Sequence, residues 1–76
     1  MDRNVFDHTL RILYERRPFQ PFTIELLNDE KLEVDHPRAI SFRDGLGLFA
    51  GPGGVPSIFT NDGVAQIVGD LANRPA

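Results

Sequence analysis

The chain has 76 residues, which suits one domain and lies near the lower limit at which a single hydrophobic core outweighs chain entropy. With 41% hydrophobic and 25% charged residues it is too apolar to be disordered, and its lack of cysteine excludes disulfides and thiolate metal sites. The chain begins with an amphipathic stretch rather than a signal peptide, and no run approaches the roughly 20 apolar residues of a membrane span. We therefore expect a cytoplasmic protein without a membrane partner.

The net charge of −3 is unevenly distributed along the chain. Residues 18–36 carry five acidic residues against Lys31 alone, whereas Arg16 and Arg17 form the only adjacent basic pair. Phosphate backbones are bound by clustered lysine and arginine side chains. The acidic segment is therefore a poor surface for nucleic acid.

The first part of the chain predicts an amphipathic helix over about residues 4–17. Asn4 can cap its start, and Pro18 ends it because the residue before a proline is disfavoured in a helix. An apolar stripe at helical spacing consists of Phe6, Leu10, Leu13 and Tyr14. We expect Leu10 and Leu13 to pack the helix against the rest of the domain.

A β-hairpin follows the helix. Residues 22–27 alternate between apolar and polar up to a turn at Asn28 and Asp29, and the alternation then resumes. The returning segment, residues 31–43, contains Pro37, which a strand tolerates only at an edge or a bend. This segment is either one long strand bent at Pro37 or two short strands that meet at a corner.

Turn signals divide the remainder of the chain into further short strands. The predicted strands cover residues 46–50, 56–60 and 64–68, and a tail covers residues 69–76. Leu46, Leu48 and Ala50 are in phase, so we expect them to face the core. Phe49 is out of phase with them and is expected to point outward.

One helix followed by five short strands is the pattern of a small antiparallel barrel. Short strands bury their common face best by curling over it, and the helix can then stack on one open end. The predicted fold is mainly β, a single domain over residues 1–76 in which an N-terminal helix precedes a five-stranded, strongly bent small barrel.

Two segments resemble the motifs of the Sm-like family. FTIELLNDEKL, residues 22–32, is similar to the first Sm motif, in which alternating hydrophobes lead into a turn, and IFTNDGVAQI, residues 58–67, stands where the second would lie. The resemblance implies a small barrel of the Sm-like or SH3-like kind, and rings in which the fourth strand of one subunit pairs with the fifth of the next. The opening RPFQPF, residues 17–22, is also similar to short uncharacterised bacterial proteins.

The RNA-binding signatures of the Sm-like family are not found in this chain. Family members that bind RNA carry an Arg-Gly pair or a Tyr-Lys-His segment between the last two strands, where this chain has Phe59-Thr60-Asn61-Asp62. The resemblance therefore implies the fold and the mode of assembly rather than RNA binding.

No pattern of residues predicts a catalytic, cofactor-binding or metal-binding site. His36 beside Asp35 fits a polar strand corner, because a metal site needs three or four ligands. The glycine-rich segment 51–54 is not followed by the Lys-Ser/Thr of a phosphate-binding loop, and Glu33 and Asp35 fit a solvated strand face. We expect no cofactor and identify no small-molecule substrate.

The sequence favours a non-enzymatic assembly or interaction module that forms a homo-oligomer through its edge strands. Segments 57–60 and 64–68 contain no charged residue, although natural edge strands normally carry charge that prevents pairing. The alternative is an Sm-like RNA-binding ring, which the charge distribution does not support. The candidate oligomer or partner contacts are Phe49, Ile58, Phe59, Val64 and Gln66.

Overall fold

The computed structural model describes residues 1–69, except for the side chain of Pro52, and the predicted tail from residue 70 onward lies outside the described residues. Over these residues the chain is mainly β, with one N-terminal helix and six short strands. The elements are α1 (Arg3–Glu15), β1 (Phe22–Leu26), β2 (Lys31–Val34), β3 (Ile40–Arg43), β4 (Leu46–Ala50), β5 (Pro56–Thr60) and β6 (Val64–Val68).

The N-cap of the helix lies two residues earlier than the sequence predicted. The carboxylate of Asp2 accepts a hydrogen bond from the Val5 N–H at 3.0 Å, so Asp2 is the N-cap and Asn4 lies inside the first turn. The helix ends at Glu15, and Arg16 is already in an extended conformation two residues before Pro18. Within residues 1–69, no helix is long and apolar enough to cross a bilayer.

The six strands form two antiparallel sheets, β2-β1-β6 and β3-β4-β5. Of the two alternatives for residues 31–43, the structure has two strands, which raises the strand count from the predicted five to six. The chain turns the corner through a single 3₁₀ turn over Pro37–Ala39, where the Ala39 N–H donates to the His36 carbonyl at 3.1 Å. Pro37 lacks the N–H that a continuous strand would need, so β2 and β3 pair in different sheets.

The hydrophobic core lies where α1 meets the inner faces of both sheets. Phe6, Leu10 and Leu13 are buried on the helix, which confirms the expected packing of the apolar stripe. The sheets and the 3₁₀ turn between them contribute to the same cluster the side chains of Phe22, Ile24, Leu32, Val34, Ala39, Ile40, Phe49, Phe59 and Val64. Burial of this one cluster therefore fixes the position of the helix relative to both sheets.

The phase of β4 is opposite to the prediction. Gly47 and Phe49 face the core, whereas Leu46, Leu48 and Ala50 are exposed, so the expectation that Phe49 points outward was wrong. Asp44 and Gly45 both have positive φ, as a two-residue type I′ turn requires, and this turn pairs Arg43 with Leu46 on the outer side. The larger Phe49 ring is thereby buried at the expense of two leucines.

Gly47 is required at its position because Phe59 fills the space above it. The two residues are directly opposite on β4 and β5, and a Cβ at position 47 would lie within 2.6 Å of Cε2 of the Phe59 ring. The same ring meets Phe6 of α1 edge to face, with centroids 6.0 Å apart. One aromatic side chain thus joins the helix to the second sheet.

Polar contacts hold the start of α1 against two turns. Asp7 accepts a hydrogen bond from the Gly45 N–H at 2.9 Å, and Asn61 donates its side-chain amide to the Met1 carbonyl at 2.8 Å. The Met1 nitrogen in turn donates to the carbonyls of Asn61 and Val64, at 3.0 and 3.3 Å. The start of the helix is therefore tied to both the β3–β4 turn and the β5–β6 connection.

Replacing Leu13 with alanine should lower the free energy of unfolding by roughly 2–5 kcal/mol, because the substitution leaves a cavity beneath α1. Ile12→Ala is the matched control, since Ile12 is an exposed neighbour on the same helix and its truncation should cost within about 0.5 kcal/mol. Urea denaturation followed by circular dichroism measures both values. Equal losses for the two variants would show that the stripe does not pack on the sheets.

Gly47→Ala should destabilise the protein by about 1–3 kcal/mol, because the added methyl group displaces the Phe59 ring from its contact with Phe6. Gly63→Ala is the control, since a Cβ there meets nothing within 4 Å. The same denaturation measurement applies. Wild-type stability for Gly47→Ala would mean that the ring does not occupy the space above residue 47.

Candidate interaction surface

The outer faces of the two sheets differ in chemistry. On β2-β1-β6 the outward side chains are mostly polar or charged, and a hydrogen bond of 3.0 Å joins Gln66 to Glu25 across two strands. On β3-β4-β5 the centre of the outer face is apolar. The apolar outer face, as we call it, consists of Leu46, Leu48, Ala50, Pro56 and Ile58.

The strand register brings these apolar side chains together. Leu48 of β4 lies directly opposite Ile58 of β5, and Ala50 lies opposite Pro56, so their side chains point to the same side of the sheet. Ile58 is 72% exposed, Leu46 50% and Leu48 42%. Contiguous exposed apolar side chains of this kind mark interaction surfaces on small domains.

The apolar outer face borders an open strand edge. Sheet pairing within residues 1–69 occupies only one side of β5, the side toward β4. The strand has the sequence Pro56-Ser57-Ile58-Phe59-Thr60 and contains no charge that would oppose the addition of another strand. Backbone groups along this edge are therefore available for pairing.

A shallow apolar groove runs beside this edge. Its volume is about 380 Å³, and one wall is β5, with Ile58 and Phe59, while the other is the end of the β1–β2 turn, with Leu26 and Leu27. Leu27 is an exposed leucine at the rim. The groove offers apolar side chains beside the β5 edge, the lining that an extended chain pairing with β5 would contact.

The five contact residues predicted from the sequence do not lie together on this surface. Phe49 and Phe59 are each 7% exposed and Val64 is 2% exposed, so all three belong to the core. Ile58 lies at the centre of the surface. Gln66 is exposed but lies on the other sheet, beside Glu25.

Sequence reasoning missed Leu46 and Leu48 as surface residues. Both phases of β4 are apolar, so alternation alone could not decide which one faces the core. The available signal was Gly47, because a residue without a side chain at the centre of a strand indicates close approach by a neighbouring group. Read in that way, Gly47 points inward and the leucines on either side point outward.

The titratable residues singled out in the sequence lie apart from this surface. The His36 Nε2 is 3.7 Å from Oδ1 of Asp35 at the exposed corner after β2. Among the described residues, no group of three or more histidine or acidic side chains is arranged to hold a metal ion.

Comparison of this chain with protein-family models finds no matching family, and comparisons with curated proteins and with solved structures likewise find no match.

Proposed function

We propose that this protein is a non-enzymatic interaction module that assembles with further copies of itself through an edge of its sheets. The observation that carries the proposal is the open edge of β5, which is uncharged and continuous with the apolar outer face. Exposed apolar side chains next to unpaired backbone groups favour the addition of a strand from another polypeptide. Burying Ile58 in this way removes the most exposed of the large side chains on the face from water.

The proposed scaffold is a small barrel of the Sm-like or SH3-like kind. Two features support it. The corner at Pro37–Ala39 lets β2 and β3 serve as the two halves of one bent strand, and the 3₁₀ turn Asn61–Gly63 carries the chain from β5 in one sheet to β6 in the other. The strands then follow in the order β6-β1-β2 and β3-β4-β5, which leaves β5 and β6 as the outer strands.

Assembly predicts a molecular mass above the 8.5 kDa of the chain in light scattering at micromolar concentration. Ile58→Lys should return the mass to that of the monomer, because it places a charge at the centre of the edge. Residue 58 is the appropriate position, since a lysine at the buried Phe59 would disrupt the core. Val5→Lys makes the same change of charge at an exposed aliphatic residue of α1 and should leave the mass unchanged. A wild-type mass of 8.5 kDa would contradict the proposal.

The alternative role, an Sm-like ring that binds RNA, predicts a different result in fluorescence anisotropy. For the interaction module we expect no micromolar binding of labelled uridine-rich or adenine-rich RNA at low salt, since the net charge is −3. Micromolar binding that weakens steeply as salt is added would favour the RNA-binding ring, because that dependence reports contacts to phosphates.

A further inference from the structure

The hydrogen-bonding pattern identifies which backbone groups lie on the open edge of β5. The Gly51 N–H donates to the Val55 carbonyl at 3.1 Å, and the Asn61 N–H donates to the Gly45 carbonyl at 2.7 Å. Backbone groups of an antiparallel strand alternate between its two sides. Because residues 55 and 61 bond toward β4, so do Ser57 and Phe59, and the N–H and carbonyl groups of Ile58 and Thr60 point to the open edge.

The same reasoning applies to β6. The Leu26 N–H donates to the Glu30 carbonyl at 2.8 Å, so Leu26 bonds toward β2 and Glu25 bonds toward β6. Gln66, the partner of Glu25, therefore directs its backbone groups to β1. The backbone groups of Ala65 and Ile67 are left on the outer side of β6.

We propose that the strand that pairs with β5 is β5 of a second copy, antiparallel about a two-fold axis that passes between the two Ile58 residues. This inference rests on the proposed function and specifies its partner and geometry. In this register Ile58 lies opposite Ile58 of the second copy, and Thr60 lies opposite Pro56 of the second copy. The two copies contribute the same surface to the interface, as a two-fold axis requires.

The backbone groups match this register. The two Ile58 residues exchange a pair of N–H to carbonyl bonds, and each Thr60 N–H donates to the carbonyl of the opposite Pro56, which makes four bonds across the axis. Pro56 has no N–H to donate, so it limits the pairing to these bonds. The edge is short, and a reversible dimer is expected.

The side chains favour β5 over β6 as the partner strand. Leu48 lies opposite Ile58 within each copy. The two-fold axis therefore produces one apolar row across the joined sheets, which consists of Leu48, Ile58 and the same two residues of the second copy. Antiparallel pairing of β5 with β6 would instead place Ile58 opposite Ala65 or Ile67, whose backbone groups lie on the outer side of β6. Ile67 is already partly buried against its own core, so this pairing would bury less new apolar surface than the pairing of two exposed Ile58 side chains.

Charge also favours the antiparallel two-fold arrangement. Each copy carries a net charge of −3, so two copies repel each other unless their acidic residues stay apart. Asp62 follows the end of β5. Antiparallel pairing places it beside Gly54 of the second copy, so the two Asp62 residues lie at opposite ends of the interface. The centre of the interface then consists of uncharged residues from both copies.

The absence of cysteine allows a direct test with single-cysteine variants. In the proposed register the Cα atoms of the two residues at position 58 lie about 5.5 Å apart, which is within the range that a disulfide bridges. Ile58→Cys should therefore give a covalent dimer on mild oxidation, seen on a non-reducing gel. The matched control is Leu48→Cys on the same face, whose two copies would lie three strand spacings apart, about 14 Å, and should not crosslink.

Amide hydrogen exchange provides a second test on the unmodified protein. Raising the protein concentration should slow the exchange of the Ile58 and Thr60 amides, which gain partners on pairing. The amides of Ala65 and Ile67 should be unaffected. Slowed exchange at Ala65 and Ile67 as well would identify pairing of β5 with β6 and would overturn the two-fold arrangement.

The outcomes separate this inference from the proposed function. An oligomer in light scattering that gives the Ile58→Cys crosslink and protects residues 58 and 60 supports both. An oligomer without that crosslink and without that protection retains the proposed function and overturns the two-fold β5 pairing. A monomer at every concentration, with no crosslink and no change in exchange, overturns both.

Discussion

The structure depends on the packing of one ring, that of Phe59, between Gly47 of β4 and Phe6 of α1. The ring removes the space for a side chain at position 47 and so decides which phase of β4 faces inward. That choice buries Phe49 and turns Leu46 and Leu48 outward. The apolar outer face is thus a consequence of core packing, because a strand with two apolar phases can bury only one of them.

The contrast between the two outer faces follows from the same constraint. In β1 and β2 the inward phase is apolar and the outward phase is largely polar, so burial leaves a surface that water solvates well. In β4 both phases are apolar, and the remaining one is exposed after folding. In a chain of 76 residues such an exposed apolar surface lowers solubility. A partner that covers the surface would remove this loss of solubility.

Much of the fold could be predicted from local signals in the sequence. The stripe of α1, the hairpin of β1 and β2, and the Asp44-Gly45 turn each contain a strong pattern, and the structure has all three. The phase of β4 could not be derived from alternation, because it depends on the volume shared by Gly47 and Phe59, which are twelve positions apart in sequence. For this reason the sequence placed Phe49 outward, whereas the structure buries it, and of the five predicted contact residues only Ile58 lies on the apolar outer face.

The predicted cap at Asn4 failed for a related reason. Both Asp2 and Asn4 are good capping residues, and the sequence alone does not rank them. The choice depends on tertiary contacts, since Asp7 and Met1 bind turns that only the folded chain brings near. Local propensity sets the existence of the helix, whereas long-range contacts set where it starts.

The position of α1 beside β3 has a consequence for the shape of any assembly. Tyr14 of the helix meets Phe42 of β3 edge to face, with ring centroids 5.7 Å apart. Phe42 lies opposite Gly47, on the inner side of the sheet, so the helix stands on that side. If two copies join at β5 about the two-fold axis, both helices lie on the same side of the joined sheet, and the apolar outer faces of the two copies form one continuous surface on the other side.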